Sequence, residues 1–295
     1  MKLRIATRGS ALARWQADHV ASLLAARGHH DIALVVIETT ADRRLDIPID
    51  AMGGKGVFVK EIQAAVLDGR ADVAVHSAKD LPAVTPDALV IAAVPERGDP
   101  RDVLVGSRLA DLEPGAHVAT GSIRRQVQLR AARPDLRFSG LRGNIATRLT
   151  RVGEFDAIVM AKAALDRLAL APHVVDVLDV MVMLPQVGQG ALAIECRAVD
   201  GERREILAGI DHRLSRRALE TERFFLAELG GDCDLPAGAY ATVDRDDIVT
   251  ARGLLASRDG AVVLYETMQG RDVGDLGRAL ARALVARGGA SLGRS

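Results

Sequence analysis

The sequence predicts an α/β protein with two hinged α/β domains and a small α+β domain at its C-terminal end. Three observations predict this architecture. The chain has 295 residues, which is more than one small domain needs. Strand-like apolar runs alternate with helical patterns over the first two thirds, which is typical of parallel sheets covered by helices. The last third places three strand-like runs in succession before a final helical pattern, which indicates an α+β unit.

The first predicted domain covers residues 1–97 and takes up the chain again at 188–211. Ser10 is placed to cap a helix over about 11–27, and Gly28 is placed to end it. A second helix is expected in VKEIQAAVLDG, after a glycine-rich segment. The expected strands are LRIAT, DIALVVIETT, ADVAVHS, DALVIAAVP and, on the return, the buried run ALAIEC.

The second predicted domain covers residues 98–187 and begins in the polar, turn-rich segment RGDPRD. Ser122 is placed to cap its first helix. Its expected strands AHVAT, LRFSG and DAIVMA alternate with the helical patterns SIRRQVQLRAARP, NIATRLTRVG and KAALDRLAL. The third predicted domain covers residues 212–295, with strands in AYATV, IVTARGLLAS and AVVLYETM and a helix over about 274–287.

Composition narrows the possible functions. Basic and acidic residues balance at 39 each and aromatic residues make up 3%, so a surface that stacks nucleic-acid bases is not expected. The N-terminus lacks the apolar core of a signal peptide, and no apolar run approaches the roughly 18–20 residues of a membrane span. Cys196 and Cys233 are the only cysteines and have no zinc-binding spacing. We therefore expect a cytoplasmic protein with no metal, nucleic-acid or membrane partner.

Polar segments follow four of the predicted strands: RGS, HSAKD, TGSIRR and GLRGN. Because ligands of open parallel sheets bind beyond the carboxyl ends of the strands, we expect these segments to meet at a cleft between the first two domains. Arginine clamps carboxylates and phosphates bidentately. Any one arginine here is more simply a solvated surface residue, whereas the set favours a polyanionic ligand. The set is Arg8, Arg124, Arg125, Arg142, Arg148 and Arg167.

Five other residues are candidates for chemistry. Lys79 is placed to hold an anion and Asp80 to stabilise a developing cation or move protons, although an ion pair in a surface turn explains both equally well. His76 is more simply a satisfied, half-buried histidine. Cys233 lies in a loop, where a thiol is accessible as a nucleophile but is often inert. Cys196 lies in an apolar run and is expected to pack in the core.

Nine motifs occur together and in order along the whole chain, and their combination resembles the hydroxymethylbilane synthases, also called porphobilinogen deaminases. The motifs are LRIATRGSALARWQ, GGKGVFVKE, ADVAVHSAKDLP, DPRD, TGSIRRQVQLRAARPDL, LRGNIATRL, DAIVMAKAALDRL, LPQVGQGALAIECR and GGDCDLPAGAY. This family condenses four porphobilinogen molecules head to tail and releases ammonia at each step, forming linear hydroxymethylbilane for tetrapyrrole biosynthesis. The resemblance implies the same transferase activity, a monomer, no metal, and a first and second domain that resemble type II periplasmic binding proteins.

The resemblance also implies a cofactor and a set of site residues. The growing chain is tethered to a dipyrromethane cofactor through a thioether to the cysteine of the GG-x-C loop, here Cys233. Each porphobilinogen carries an acetate and a propionate, which need fixed cations when they are buried. Asp80 matches the carboxylate that stabilises the azafulvene cation left by loss of ammonia. The cofactor-binding positions match Lys79, Thr120, Ser122, Arg124, Arg125, Arg142 and Arg148, and the substrate-binding positions match Arg8, Ser10, Gln16, Lys55, Phe58 and Arg167.

Two other classes of function share some of these features. A non-catalytic receptor also uses two hinged α/β domains, but it needs neither Cys233 nor Asp80. A nucleic-acid binder would use the arginines, but the balanced charge and the scarce aromatic residues disfavour it.

Overall fold

The computed structural model describes residues 2–39, 59–230 and 236–288. Within these ranges the strands form two five-stranded sheets and one three-stranded sheet. Helices pack on the five-stranded sheets and also on the three-stranded one. This arrangement confirms the predicted mixed α/β architecture with a small C-terminal α+β domain. The domain boundaries at residues 97, 187 and 211 stay a prediction.

The first part of the chain builds most of the first sheet. It forms β1 (Leu3–Arg8), α1 (Ala11–Ala25), β2 (Ile32–Ile37), α2 (Lys60–Leu67), β3 (Val73–Ser77) and β4 (Leu89–Ala93). Since side chains alternate along a strand, β1 contributes to both faces. Ile5 packs in one core with Val20 of α1, and Ala6 packs in another with Ile62 of α2. The central strands are therefore buried on both sides, as their continuous apolar sequence predicts.

The second sheet forms from the middle of the chain. Its elements are β5 (Asp102–Val105), β6 (His117–Ala119), α3 (Ile123–Ala132), β7 (Arg137–Ser139), α4 (Ile145–Thr150), β8 (Ala157–Ala161), α5 (Lys162–Arg167) and β9 (Val175–Val177). The strand order is β7-β6-β8-β5-β9. β5 and β9 were not predicted: β5 begins at Asp102, inside the polar segment RGDPRD, and β9 has a charged residue, Asp176, at its centre. β5 runs antiparallel to β8 and β9, so this sheet is mixed.

The last part of the chain returns to the first sheet and then forms the small domain. Its elements are β10 (Leu192–Arg197), α6 (Gly201–Ala208), α7 (Arg213–Glu228), β11 (Ala237–Val243), β12 (Val249–Ala256), β13 (Val263–Gly270) and α8 (Val273–Ala286). β10 inserts between β3 and β4 and is antiparallel to both. The predicted crossing into a buried strand is therefore confirmed, whereas the predicted parallel sheet is mixed, because β10 runs against its two neighbours. α7 and α8 cover the antiparallel sheet β11-β12-β13, where Phe225 packs with Leu280.

The two segments that cross between the first and second sheets lie against each other. The Gly98 amide donates to the Gly190 carbonyl at 3.1 Å. Gly190 has a φ of +83°, and an added Cβ would lie 2.5 Å from the Gly98 carbonyl oxygen, so only glycine fits there. Glu222 of α7 ties the small domain to both segments, because it accepts from Arg97 Nη1 at 2.6 Å and from the Gly188 amide at 2.7 Å.

Candidate active site

A pocket lies at the carboxyl ends of β1 and β3. β1 ends at Arg8, and Ser10 caps α1 by accepting from the Ala13 amide at 3.3 Å. Gln16 lies on the same helix and is 4% exposed. The pocket is lined by five residues that the sequence singled out, together with His76. These five are Arg8, Ser10, Gln16, Lys79 and Asp80.

Lys79 and Asp80 project from a 3₁₀ turn that follows β3 directly. The return crossing presses on this turn: Gly188 has a φ of +72°, and an added Cβ would lie 2.9 Å from the Ala78 carbonyl carbon. The backbone of Gly188 therefore packs directly against this turn, at a position where only glycine fits. Lys79 Nζ donates to Gln189 Oε1 at 3.5 Å. Burial lowers the pKa of Lys79 to about 8, while Asp80 raises it and Arg125 lowers it further.

Arg124 and Arg125 converge on Asp102, the first residue of β5. Arg124 Nη2 and Arg125 Nη2 each lie 2.7 Å from an Asp102 carboxylate oxygen. Burial alone would raise the pKa of Asp102, but the two guanidiniums outweigh burial and hold that pKa well below its ordinary value. Gln189 Nε2 donates to the same carboxylate at 2.8 Å. Since Gln189 also accepts from Lys79, one network joins the turn after β3 to the start of α3.

This network carries more positive than negative charge. Two guanidiniums share the single Asp102 carboxylate. The Lys79 ammonium lies close enough to both guanidiniums for their charges to lower its pKa. The sequence predicted that Arg124 and Arg125 bind a ligand, whereas in the structure both form ion pairs with Asp102. Asp102 and Gln189 were missed as site residues. DPRD was part of a recognised motif, but nothing in the sequence showed that Arg124 and Arg125 are buried and therefore need a carboxylate nearby.

Thr120 and Ser122 lie between β6 and α3. Thr120 is 1% exposed, and its Oγ1 accepts from the Ser122 amide at 3.2 Å. Ser122 occupies the N-cap position of α3, but its side chain makes no capping hydrogen bond, so the predicted cap is wrong. Thr120 Oγ1 instead accepts from the Ser122 amide, which is the hydrogen bond of a threonine side-chain turn. The Ser122 side chain is therefore not committed to the helix.

Arg142 and Arg148 belong to the segment after β7. Arg142 is exposed. Arg148 lies on α4, and its Nε donates to the Gly143 carbonyl at 2.8 Å. Burial lowers the pKa of Arg148, and the charge of Arg125 lowers it further. Arg148 is therefore electrostatically coupled to the cationic network, and it adds to its excess positive charge.

Arg167 is the last residue of α5 and lies where the two α/β domains meet. Its Nη2 donates to the Gly190 carbonyl at 2.6 Å, and its guanidinium carbon lies 5.6 Å from the centroid of the Trp15 ring. Burial lowers its pKa to about 10, and Asp166 raises it. Among the residues that the structure describes, no carboxylate lies within ion-pair distance of Arg167.

His76 lies at the inner wall of the pocket and pairs with Glu195 of β10. The two side chains approach to 3.1 Å, and Gln63 Nε2 donates to the same Glu195 oxygen at 2.9 Å. Burial would raise the pKa of Glu195, but the interactions with His76, Gln63 and Arg223 together outweigh burial and lower that pKa. His76 is 5% exposed, so it is buried and not half-buried as predicted; its Nε2 lies within ion-pair distance of Glu195 but makes no hydrogen bond within the described residues, so the expectation of a satisfied histidine is not confirmed.

Three predicted site residues, Lys55, Phe58 and Cys233, lie outside the described residues. Cys196 is fully buried in the core of the first domain, as predicted, and burial raises its pKa to about 11. No cluster of three or more His, Cys, Asp or Glu side chains suited to a metal occurs in residues 2–39, 59–230 or 236–288. Over the same ranges, no helix has the length and apolar character needed to span a membrane.

A solved structure overlaps with part of the chain at a low level of similarity. It is an ancestral cationic amino acid solute binding protein, 17% identical, with a TM-score of 0.41 over 70% of this chain and 86% of that chain. The α/β architecture is assigned from the three sheets of this protein and not from the similarity to that solved structure.

Sequence comparisons identify the family. A family model described as "Porphobilinogen deaminase, dipyromethane cofactor binding domain" matches residues 3–205, and one described as "Porphobilinogen deaminase, C-terminal domain" matches residues 217–286. A porphobilinogen deaminase of Nitratidesulfovibrio vulgaris (strain Hildenborough) is 47% identical over 98% of this chain and 95% of its own length. One of Chromobacterium violaceum is 46% identical over 97% of this chain and 95% of its own length. The chain that builds this cationic pocket therefore belongs to the porphobilinogen deaminase family.

Proposed function

We propose that the protein is a transferase that condenses four porphobilinogen molecules head to tail, with release of ammonia, into linear hydroxymethylbilane. The observation that carries the proposal is the turn after β3. It presents a carboxylate, Asp80, and an ammonium, Lys79, to a pocket beside a cluster with excess positive charge. A substrate with two carboxylates and a developing cation needs both kinds of group.

We propose that a dipyrromethane cofactor is bound here through a thioether to Cys233. The residues present fit a group with several carboxylates, because two guanidiniums share one Asp102 carboxylate and Lys79 stays close to them. Gly238, which follows Cys233 by five residues in the sequence, packs so that an added Cβ would lie 3.2 Å from Arg124 Cδ. That close approach supports a tether that reaches the cationic cluster. When bound, the cofactor supplies the primer to which pyrroles are added.

The chain's own residues have separable roles in this proposal. Asp80 stabilises the positive charge that develops on the substrate as ammonia leaves, because a fixed carboxylate in a partly desolvated pocket needs no reorganisation during the reaction. Lys79, Thr120, Ser122, Arg124, Arg125, Arg142 and Arg148 hold the cofactor. Arg8, Ser10, Gln16, Lys55, Phe58 and Arg167 hold the substrate.

We also propose that the protein works as a cytoplasmic monomer on this small-molecule substrate, without nucleic-acid, membrane or metal partners. The balanced charge and the scarcity of aromatic residues support the exclusion of nucleic acid. The use of only two cysteines supports a reducing compartment.

The proposal is tested by incubating the purified protein with porphobilinogen and measuring ammonia and product together. We expect four ammonia molecules for each hydroxymethylbilane. Lys2→Ala is a suitable control variant, because Lys2 is exposed and precedes β1, at the opposite end of that strand from Arg8. Binding of porphobilinogen without release of ammonia would favour a receptor and contradict the proposal.

A further inference from the structure

Arg167 is held by three separate parts of the molecule. It belongs to the second domain, it donates to Gly190 in the return crossing at 2.6 Å, and it lies over Trp15 of the first domain at 5.6 Å. An added Cβ on Gly98, in the outward crossing, would lie 3.7 Å from Arg167 Nη2. The guanidinium therefore lies at the hinge, in contact with the first domain through Trp15.

The Trp15 ring is the aromatic group that faces this cation, whereas Asp166, the carboxylate that raises the pKa of Arg167, is itself paired with Lys162. Within residues 2–39, 59–230 and 236–288, one hydrogen bond, to the neutral Gly190 carbonyl, also holds the guanidinium. An aromatic face attracts a cation, and more strongly when the pair is shielded from water. The ring itself is fixed, because it stacks on His19 with centroids 5.0 Å apart and planes 11° apart. Burial lowers the pKa of His19, and Arg167 lowers it further, so the stacked imidazole stays neutral at pH 7.

We propose that Trp15, braced by His19, is a positioning residue that holds the Arg167 guanidinium in place for a substrate carboxylate. The proposal rests on the substrate-binding role given to Arg167 above. An arginine side chain has many rotamers, and one hydrogen bond leaves several of them accessible. With the ring in place, the cation is held at the hinge without a carboxylate of its own, and it remains available for one from the substrate.

Kinetics of the holoenzyme test this role. Trp15→Leu should raise KM for porphobilinogen about three- to tenfold and leave kcat within about twofold, because it removes binding that is equal in ground and transition states. Trp15→Phe keeps an aromatic face and should restore most of the affinity. The double variant Trp15→Leu/Arg167→Gln should have the KM of Arg167→Gln alone, because the ring acts through the guanidinium.

A matched control removes a similar contact elsewhere. Phe224 lies 4.8 Å under the Arg278 guanidinium in the small domain, and Phe224→Leu should leave KM unchanged. An unchanged KM in Trp15→Leu, or full additivity in the double variant, would overturn the proposal. Wild-type protein that binds porphobilinogen but does not turn it over would instead contradict the proposed function.

Fluorescence provides a test that does not depend on activity. Trp15 is the single tryptophan of the chain, so the tryptophan emission of the holoenzyme reports the surroundings of this ring, including the Arg167 guanidinium. We expect Arg167→Gln to shift the emission maximum and Arg278→Gln to leave it in place. Identical emission spectra for wild type and Arg167→Gln would show that the Trp15 ring does not hold the Arg167 guanidinium in place.

Discussion

Replacing Arg125 with leucine tests whether the buried charge cluster both stabilises the second domain and binds the cofactor. Arg125 donates to Asp102 from Nε at 3.1 Å and from Nη2 at 2.7 Å, and to the Val159 carbonyl at 3.0 Å. Removing one partner of a buried ion pair costs about 3–5 kcal/mol. Arg124 and Gln189 still pair with Asp102 in the variant, so we expect a loss near the lower end, about 3 kcal/mol of unfolding free energy.

Urea unfolding at several pH values measures this loss and its origin. The folded-state pKa of Asp102 lies below its value in the unfolded chain. The stability that its ionised form contributes is therefore fully present above the unfolded pKa of about 3.9, and it is lost as the pH falls toward the folded pKa. The difference between wild type and Arg125→Leu should consequently be largest near pH 7 and shrink below about pH 4.

The matched control is Arg101→Leu, which breaks an ion pair with Asp99 at a site where the arginine side chain is 44% exposed. Such a surface pair contributes about 0–1 kcal/mol. We also expect Arg125→Leu to be isolated without dipyrromethane and Arg125→Lys to load part of it, because lysine keeps the charge but not the bidentate geometry. The reasoning is refuted if Arg125→Leu unfolds at the same urea concentration as Arg101→Leu and carries a full complement of cofactor.

Three further predictions concern the other groups of the pocket and the buried thiol. Asp80→Asn should keep the cofactor but slow single-turnover release of ammonia by about 10²–10³-fold or more. The rate of Asp80→Glu should lie between those of Asp80→Asn and wild type. An Asp80→Asn rate within about threefold of wild type would mean that another residue stabilises the developing cation. Burial lowers the pKa of Lys79 to about 8, so cofactor loading by the apoprotein should fall as the pH rises through that value and the ammonium is lost. Lys79→Arg should remove this pH dependence. A loading rate that stays flat from pH 6.5 to 9.5 in the wild type would contradict the role of Lys79. Cys196→Ala should lower the unfolding free energy by about 1 kcal/mol in thermal melts yet leave cofactor attachment intact, and loss of the attached mass in this variant would reverse the roles of the two cysteines.

The sequence predicted the parts of the fold that depend on local pattern. β1, β3 and β10 are apolar runs with clear breaks at their ends, and they occur where expected. β5 and β9 have four and three residues, and their strand character depends on pairing with β8 and with each other. The antiparallel direction of β10 was not predictable from its residues, because direction is set by where the crossing segment enters the sheet.

The candidate site divides in the same way. Arg8, Lys79 and Asp80 come together because they lie at or just beyond the carboxyl ends of adjacent strands, which topology predicts. The partnership of Asp102 with Gln189 depends on the approach of both crossing segments to α3, and no local pattern encodes that approach. The buried ion cluster was therefore found in the structure and not in the sequence.

Intact mass measurement of wild type and Cys233→Ser tests the central claim most directly. The account predicts that purified wild type carries the added mass of one dipyrromethane and gains further pyrrole increments when limiting porphobilinogen is added. It predicts that folded Cys233→Ser shows neither, because a serine hydroxyl is a much poorer nucleophile than a thiolate at neutral pH. A bare wild-type mass in protein that turns over porphobilinogen, or an attached mass retained by Cys233→Ser, would contradict the account.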